Sequence, residues 1–535
     1  MPQTIDNIED ILKYIHGIEP RDYQKEIFQT CKEKNCLVVL PTGIGKTLIA
    51  LMLAIERQTK FPQDKILFLA PTRPLAQQHL SYFKKHLPEL FGQMELFTGK
   101  IKAEKRQEIW QTADIIFSTP QCIANDLKNN LYTLSDVSLL IEDESHRCLK
   151  NYAYTYVAEQ YLKQALHPRI LGLTASPGSE KEKIKQICKN LSVEDVELRT
   201  RESKDVQPYL QKLNFNLVKL DFPNEFIEIR ILLKKLYDKK VEELKNRKLL
   251  FERATKRTLL DLQHRIMNMI VTGNRHFNIL AAASACAQAI KLQHALELLE
   301  TQTLISFQKY LQDLFDQAKQ NKSKAVQQLI RQPEFNKAYI LTTEMLAKGI
   351  ENPKLSKLKE IVSNELAKNP KAKIIVFAQY RGTVTKICKT LNEISGVNAK
   401  VFVGQAKKGK EGELTGLSQK EQQEILSKFS IGEFNVVCAT SIGEEGLDIP
   451  EVNAVIFYEP IPSEIRKIQR AGRTARLIPG KLIILMIKGT RDESYYWAAF
   501  HKEKKMYNIM NGLKQDLKKE NQNNDKNKEK QKTLI

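Results

Sequence analysis

Short apolar runs alternate with longer amphipathic stretches through the first part of the chain. The runs cover residues 36–40, 65–70, 114–118, 139–142 and 170–174. Each run ends in a polar or Gly/Pro-containing turn and is followed by helical spacing of apolar residues, which is typical of a parallel sheet with crossover helices. Such sheets bind ligands at the carboxyl ends of their strands. We therefore predict a first α/β domain over residues 1–205.

The same alternation returns in the last third of the chain. It covers residues 373–377, 399–403, 435–439, 454–457 and 481–487. Between the two regions, strand patterns disappear, and residues 226–250 and 281–299 show helical spacing with few helix breakers. We therefore predict the α/β fold class, with two parallel-sheet domains and an inserted all-α domain.

The predicted boundaries follow from these changes of pattern. The helical insert occupies residues 206–350, and the second α/β domain occupies residues 351–505. The remaining residues, 506–535, are predicted to form a basic disordered tail, because the end of the chain is rich in Lys, Asn and Gln and poor in aromatic residues.

The net charge of the chain indicates what kind of partner it binds. The 84 Lys and Arg residues exceed the 63 Asp and Glu residues, which gives a net charge of +21. Such an excess favours a polyanion such as nucleic acid. The chain has no apolar stretch of the ~20 residues that a membrane span needs and no apparent secretory signal, so we expect a soluble protein of the cytoplasm or nucleoid.

The residues after the first apolar run have the pattern of a phosphate-binding loop. Thr42, Gly43, Gly45, Lys46 and Thr47 lie between that strand and an apolar helix. Glycines allow backbone N–H groups to surround phosphates, the lysine reaches the β- and γ-phosphates, and the threonine ligates Mg²⁺. Leucine occupies the position where the strict pattern has its first glycine. The sequence therefore predicts a site for a nucleoside triphosphate and Mg²⁺.

Two further segments complete the predicted site. Asp143 and Glu144 follow a buried strand, where the first would hold Mg²⁺ and the second would orient and deprotonate the attacking water. Far along the chain, Arg473 and Arg476 are spaced to share one helical face. Arginines supplied from a second domain stabilise the charge that develops on the γ-phosphate. A site built from both domains would open and close during hydrolysis, as in a motor.

These segments, in this order, resemble those of a superfamily 2 helicase, whose two motor domains are RecA-like. Arg21 and Gln24 look like the Q motif, in which the glutamine recognises adenine, so the nucleotide is expected to be ATP. Residues 70–75, 98–99, 118–120, 174–177, 375–380 and 439–448 are similar to the family's remaining motifs. The resemblance implies catalytic roles for Lys46, Asp143, Glu144, His146, Gln469, Arg473 and Arg476, and nucleotide contacts from Arg21, Gln24, Thr42, Gly43, Gly45, Lys46, Thr47, Gly446 and Asp448.

A narrower resemblance is to the Hef helicase family, which is related to the Fanconi anaemia M protein. It rests on residues 404–406, 416–422, 443–450, 457–466 and 491–506, and on the position of the helical insert. It implies ATP-driven 3′→5′ translocation on DNA and remodelling of stalled forks and Holliday junctions. The expected contacts with nucleic acid are Thr72, Arg73, Thr98, Gly99, Thr119, Gln379, Tyr380 and Thr440 of the motor domains, and Arg253, Lys256 and Arg257 of the insert.

The chain departs from the family pattern in several places. Ser145 replaces the usual alanine, and Ala475 replaces the usual glycine of the final motif. Both are exchanges between small residues, so we expect activity to survive. The nuclease motif of longer Hef proteins is missing from this sequence. We therefore expect no intrinsic nuclease. We also expect a monomer, with a separate nuclease or sliding clamp as a candidate partner.

Two other functions fit parts of the sequence. Motor motifs do not distinguish DNA from RNA, so an RNA helicase or a double-stranded-RNA-dependent ATPase is the main alternative. A non-catalytic scaffold that uses the motor fold only to bind DNA is the other. The retained phosphate-contacting residues argue against a scaffold.

Overall fold

The computed structural model describes residues 8–405, 416–440, 449–474 and 479–532. The first domain, called lobe 1 below, is built on a sheet of seven parallel strands. These strands are β1 (Cys36–Val39), β2 (Lys65–Leu69), β3 (Met94–Phe97), β4 (Ile115–Ser118), β5 (Val137–Asp143), β6 (Ile170–Thr174) and β7 (Asp195–Leu198). Their order across the sheet is β3-β4-β2-β5-β6-β1-β7.

Helices connect these strands and cover the sheet. They are α1 (Ile8–Leu12), α2 (Asp22–Glu33), α3 (Lys46–Lys60), α4 (Arg73–His86), α5 (Ala103–Thr112), α6 (Pro120–Lys128), α7 (Ala153–Gln164) and α8 (Lys181–Asn190). The central strands are buried along their whole length. Burial on both faces explains why they read as continuous apolar runs in the sequence. The short strands β3 and β7 carry polar residues, and the apolar pattern does not predict them.

The insert follows lobe 1 and consists of helices only. They are α9 (Ile227–Asn246), α10 (Lys256–Val271), α11 (Phe277–Thr301), α12 (Leu304–Lys319), α13 (Lys324–Ile330) and α14 (Pro333–Ala347). The two long stretches predicted to be helical correspond to α9 and α11. The insert has its own apolar interior, in which α11 packs against α9, α10 and α12.

The second domain, called lobe 2, has a sheet of six parallel strands. The sequence predicts five of them: β9 (Ile374–Phe377), β10 (Ala399–Phe402), β11 (Val436–Ala439), β12 (Ala454–Phe457) and β13 (Gly480–Ile487). The helices are α15 (Pro353–Lys368), α16 (Arg381–Leu391), α17 (Gln419–Ile431) and α18 (Glu464–Ala471).

The sixth strand corrects the predicted start of the insert. Residues Leu213–Leu220, placed in the helical insert by the sequence, form an edge strand, β8, that pairs with β13 from Leu213↔Gly480 to Leu220↔Ile487. The sheet order is β10-β11-β9-β12-β13-β8. The residues of β8 are half-buried or exposed, so its apolar signal is weak. The insert therefore begins after β8 rather than at residue 206.

The last helix corrects the predicted disordered tail. The helix α19 (Arg491–Lys532) extends through residues 506–532. Met506, Met510 and Leu513 are buried in the core of lobe 1, and Lys514 pairs with Glu197 of β7 at 3.1 Å. These three apolar residues lie at spacings of four and three, so they share one helical face. A composition average over the surrounding Lys and Asn residues conceals this stripe.

A buried ion pair lies where lobe 2, the insert and α19 meet. Lys354 Nζ is 2.5 Å from Asp492 Oδ2, and both side chains are fully buried. Lys354 also donates a hydrogen bond to the carbonyl of Thr301 at the end of α11, at 3.0 Å. Arg491 pairs with Glu300 of α11 at 2.8 Å. These contacts attach the insert and the start of α19 to lobe 2. Among the described residues, no helix has the length and apolar character to cross a membrane.

The docking of α19 on lobe 1 can be tested with neighbouring substitutions. Met510 is fully buried, whereas Asn511 is exposed. We expect Met510→Asp to lower the free energy of unfolding by roughly 3 kcal/mol or more, because it places a carboxylate in an apolar core. The control Asn511→Asp introduces the same residue on the exposed face and should change it by less than about 0.5 kcal/mol. Equal denaturant midpoints for both variants would contradict the docking.

Candidate nucleotide and nucleic-acid site

The predicted phosphate loop connects β1 to the first residue of α3, Lys46. Gly43 and Gly45 both have φ of 83°, a conformation that favours glycine, so the loop requires these residues for its backbone geometry. Lys46 Nζ donates to the carbonyl of Leu40 at 3.1 Å, which holds the lysine over the loop. Backbone N–H groups at the start of α3 provide the anion-binding end of a helix.

The Q-motif residues pack directly on this loop. Gln24 Nε2 donates to the carbonyl of Gly45 at 3.1 Å, and Tyr23 donates to the carbonyl of Ile44 at 2.6 Å. Arg21 donates its backbone N–H to Gln24 Oε1 at 2.9 Å, and its guanidinium contacts Tyr23. Gln24 thus helps to fix the loop. Recognition of adenine by the same residue stays a prediction.

Asp143 lies at the end of β5 and is buried. His79 of α4 lies 2.9 Å from its Oδ2 atom, and Tyr154 donates to its backbone carbonyl at 2.7 Å. Burial by itself would raise the pKa of Asp143, but the hydrogen bond with His79 and the charge of Lys46 lower it below its ordinary value. The carboxylate therefore stays ionised, as a metal ligand must.

Glu144 follows with φ of 54°, an uncommon conformation for a residue other than glycine. Its Oε2 atom is 3.2 Å from Nδ1 of His146, and the same Nδ1 atom is 3.1 Å from the hydroxyl of Thr174, the last residue of β6. Thr174 accepts a hydrogen bond from the backbone of Ser176, and the Ser176 hydroxyl contacts the sulfur of Met506 at 2.9 Å. A continuous set of contacts thus runs from Glu144 to α19.

The final motif of lobe 2 approaches the phosphate loop of lobe 1. Gly472 is the first residue after α18 and packs against Thr42. The contact is so close that a Cβ at Gly472 would overlap the Thr42 hydroxyl. Its φ of −69° suits any residue, so glycine is needed here for space. Arg473 is the next residue in the chain. Gln469 lies on α18 and is buried.

Another arginine of this motif has a structural role that the sequence did not indicate. Arg470 is fully buried, with its guanidinium 4.8 Å from the ring of Phe377. The nearby Glu459 carboxylate accepts a hydrogen bond from the backbone of Gln379, and burial raises its pKa to about 7 against the opposing charges of Lys354 and Arg470. Arg470 thus supports the sheet of lobe 2. Arg476, Gly446 and Asp448 lie outside the described residues.

The oxygen donors of the site fit Mg²⁺. Mg²⁺ binds through one or two protein oxygens, with phosphates and waters as its other ligands. Thr47 is the second residue of α3, and Asp143 carries a lowered pKa at the end of β5. A hydroxyl and an ionised carboxylate are hard donors that suit this ion. The two predicted metal ligands therefore fit the group that they would hold.

Most of the predicted nucleic-acid contacts lie where strands end. Thr72 and Thr119 precede α4 and α6, and Thr98 and Gly99 follow β3. In lobe 2, Gln379 and Thr440 lie just after β9 and β11. These residues therefore share the carboxyl edges of the two sheets. Tyr380 differs, because its ring lies 5.7 Å from His294 of α11 and packs against the insert.

An open cleft of about 780 Å³ lies between the two lobes, beside α4 and α17. Arg73 lines it on the side of lobe 1, together with Lys100, while Lys420 lines it on the side of lobe 2. Glutamines and serines from both helices form most of the remaining lining: Gln77, Gln78, Ser81, Gln419, Gln423, Ser427 and Ser430. Cations with amide and hydroxyl donors suit a phosphate backbone. Sequence analysis missed Lys100 and Lys420, since single lysines in a Lys-rich chain give no signal.

The three predicted insert residues lie at the start of α10 and just before it. Arg253 and Arg257 are exposed, and Arg257 is 3.9 Å from Asp261. Lys256 instead pairs with Glu297 of α11 at 3.0 Å. Burial alone would raise the pKa of Glu297, but hydrogen bonds from His294, Lys256 and Tyr495 lower it to about 2. Lys256 therefore has a structural partner, whereas the two arginines present their charge to solvent.

One parallel-sheet lobe carries a phosphate loop, and an arginine-bearing motif of the other lobe packs against that loop. This arrangement defines a nucleic-acid motor of helicase superfamily 2. Residues 21–184 match the DEAD/DEAH box helicase family, and residues 353–478 match the helicase conserved C-terminal domain. Residues 225–349 match a helical bundle described for a putative ATP-dependent RNA helicase.

Individual proteins narrow the family further. The helicase domain of Pyrococcus furiosus Hef has a TM-score of 0.68 and 43% identity, over 92% of this chain and 99% of that one. A putative ATP-dependent RNA helicase of Methanocaldococcus jannaschii is 39% identical over 93% of this chain and 61% of its own length. The ATP-dependent DNA helicase mph1 of Neurospora crassa is 34% identical over 89% of this chain and 41% of its own length.

The chain belongs to the Hef and Fanconi anaemia M family of superfamily 2 helicases. The predicted resemblance and the predicted fold class are thereby confirmed. The chain spans 61% and 41% of the lengths of the archaeal and fungal relatives.

The contact between the lobes can be tested at Gly472. We expect Gly472→Ala to reduce the kcat for ATP at least about tenfold, because the added methyl group forces the final motif away from the loop. Binding of ATP to lobe 1 should stay within about threefold. Gly512→Ala on α19 is the control, since a Cβ there meets nothing within 4 Å. Unchanged turnover in Gly472→Ala would show that the lobes do not need this approach.

Proposed function

We propose that the chain is an ATP-dependent 3′→5′ DNA translocase that unwinds or remodels forked and branched DNA, including stalled forks and Holliday junctions, during repair and replication restart. The packing of Gly472 against Thr42 supports the motor part of this proposal most directly, and the fungal relative named as a DNA helicase supports DNA as the track. A catalytic site shared by two lobes requires that nucleotide binding and release change the distance between them. Such a change is what a translocating motor needs.

The roles within the ATP site follow from position. Lys46 binds the β- and γ-phosphates, Thr47 and Asp143 hold Mg²⁺, and Glu144 orients the attacking water. When bound, the metal neutralises phosphate charge in the transition state. Arg473 and Arg476 supply the cations from lobe 2. Gln469 of α18 positions the segment that carries these arginines.

The path of the tracking strand crosses the carboxyl edges of both sheets. Thr72, Arg73, Thr98, Gly99, Thr119, Gln379 and Thr440 lie there, and the cleft with Lys100 and Lys420 adjoins α4. Contacts with phosphate and sugar hold a strand without recognising its sequence. Alternating grip by the two lobes would then advance the motor in one direction.

The insert would hold a second arm of the junction. Arg253 and Arg257 are exposed, and the insert is attached to lobe 2 through Lys354 and Arg491. A basic surface that moves with one lobe can change the angle between two DNA arms during each cycle. We place this activity in the cytoplasm or nucleoid and assign it to a monomer.

A second candidate function is ATP-driven remodelling of RNA. It is favoured by the name of the Methanocaldococcus jannaschii relative and by the helical-bundle match, both of which refer to RNA helicases. The fungal relative is named as a DNA helicase. Phosphate contacts of the kind expected at the strand ends serve either polymer.

Steady-state ATP hydrolysis on a matched panel of nucleic acids distinguishes the two functions. The panel contains forked DNA, a Holliday junction, linear duplex DNA, single-stranded DNA and duplex RNA, and Lys46→Ala is the control for contaminating ATPases. We expect branched DNA to stimulate hydrolysis most. Stimulation by duplex RNA as strong as that by forked DNA would replace the DNA proposal with the RNA one.

The role of the insert can be tested by reversing two exposed charges. We expect Arg253→Glu/Arg257→Glu to weaken binding to forked DNA. The slope of log affinity against log salt concentration should fall by about one for each phosphate that the variant no longer binds. Hydrolysis stimulated by single-stranded DNA should change little, because the motor lobes are untouched. Lys256 is left in place, since its removal would leave buried Glu297 without this cation.

The control for this experiment makes the same charge change elsewhere. Lys368 and Lys371 are exposed at the end of lobe 2 where β9 begins, away from the carboxyl edge. Lys368→Glu/Lys371→Glu should therefore bind forks nearly as well as the wild-type protein. Equal losses in the two double variants would mean that only net charge matters, and would exclude a specific role for the insert.

A further inference from the structure

The side chain of His79 makes a contact with the metal-binding carboxylate that none of the motifs assigned above explains. His79 is on α4, is 7% exposed, and its Nε2 atom lies 2.9 Å from Oδ2 of Asp143. Its other ring nitrogen, Nδ1, is buried and has no hydrogen-bond partner among the described residues. An ionised carboxylate only accepts hydrogen bonds, so Nε2 of this ring carries the hydrogen that is donated to Asp143.

The orientation of this ring is fixed by aromatic packing. The His79 ring lies 4.4 Å from the ring of Phe68 on β2, at an angle of 31°. Phe68 in turn contacts Phe83 and Phe117, with centroid distances of 5.8 and 5.3 Å. The imidazole thus has little freedom to turn away from Asp143.

Asp143 is constrained at two points, one on its side chain and one on its backbone. His79 holds the Oδ2 atom, and Tyr154 holds the backbone carbonyl of the same residue. The hydrogen bond to Oδ2 fixes the direction of the carboxylate and leaves it lone pairs with which to bind a metal ion or to accept from the ion's waters. Groups that orient a ligating side chain in this way typically change metal affinity or activity by about 10–100-fold when removed.

We propose that His79 is a positioning residue that orients Asp143 for Mg²⁺-bound ATP and links α4 to the metal site. The link matters because α4 begins at Arg73, in the cleft between the lobes, and reaches His79 less than two turns later. A displacement of α4 by a bound strand would move the group that holds Asp143. The proposal rests on ATP hydrolysis by this site and is independent of whether the track is DNA or RNA.

Three variants test this proposal. His79→Ala removes the donor, whereas His79→Gln keeps an N–H group at similar reach. His86→Ala is the matched control, because His86 lies on the same helix, is also 7% exposed, and contacts the backbone of His16 rather than the ATP site. Thermal unfolding of each variant shows whether α4 remains packed.

The first readout is the Mg²⁺ concentration for half-maximal binding of a fluorescent, non-hydrolysable ATP analogue. We expect it to rise about tenfold or more in His79→Ala and to return to within about threefold of wild type in His79→Gln. The second readout is ATP hydrolysis over the same Mg²⁺ range, with and without nucleic acid. The ratio of stimulated to basal hydrolysis should also fall in His79→Ala.

A folded His79→Ala variant with the Mg²⁺ requirement of the wild type would overturn the proposal. If that variant does not fold, His79→Gln is compared with His79→Leu, which fills the same space without a donor. Equal Mg²⁺ requirements in these two variants would also overturn the proposal. Because analogue binding needs no nucleic acid, a failure of the DNA proposal would leave this result intact.

Discussion

The buried ion pair between Lys354 and Asp492 is the contact on which the arrangement of the parts depends. Removing one member of such a pair typically costs about 3–5 kcal/mol, because the other charge is left in an apolar interior. Lys354 also binds the last turn of α11, and Asp492 lies at the start of α19. The pair therefore fixes the insert to lobe 2 and sets the direction in which α19 leaves it. Lobe 2 and the insert are thus joined by buried contacts at the start of α19.

The helix α19 connects lobe 2 to residues near the predicted ATP site of lobe 1. It starts at the ion pair and packs into the core of lobe 1, where Met506 contacts Ser176. Ser176 is joined through Thr174 to His146, and His146 to Glu144. A change around the γ-phosphate thus has two routes between the lobes: directly across the cleft at Gly472 and Thr42, and around the side through α19. The lobes are thus joined at two separate places, one at the cleft and one along α19.

Local patterns in the sequence predict much of this molecule. The strands β6 and β12 have the predicted bounds. The phosphate loop and the final motif each depend on a short stretch of chain, and the structure brings them together at Thr42 and Gly472. The edge strand β8, the docking of α19 and the pairs Lys354–Asp492 and His79–Asp143 could not be predicted in this way. Each depends on residues far apart in the sequence, and a lone lysine or histidine gives no sign of its partner. The missed stripe of α19 shows that averaging composition can hide spacing.

We propose that the two lobes share one ATP site whose cycle moves branched DNA. The most direct test follows the ATP-driven conversion of a model replication fork into regressed duplex products on native gels, with wild type and Arg473→Ala. We expect the wild-type protein to convert the fork into regressed duplex products. Arg473→Ala should bind the fork within about threefold of wild type but convert almost none of it, because one of the two cations that lobe 2 supplies to the γ-phosphate is gone. Fork conversion by Arg473→Ala at the wild-type rate, or a wild type that leaves forks unchanged while it separates duplex RNA, would contradict the account.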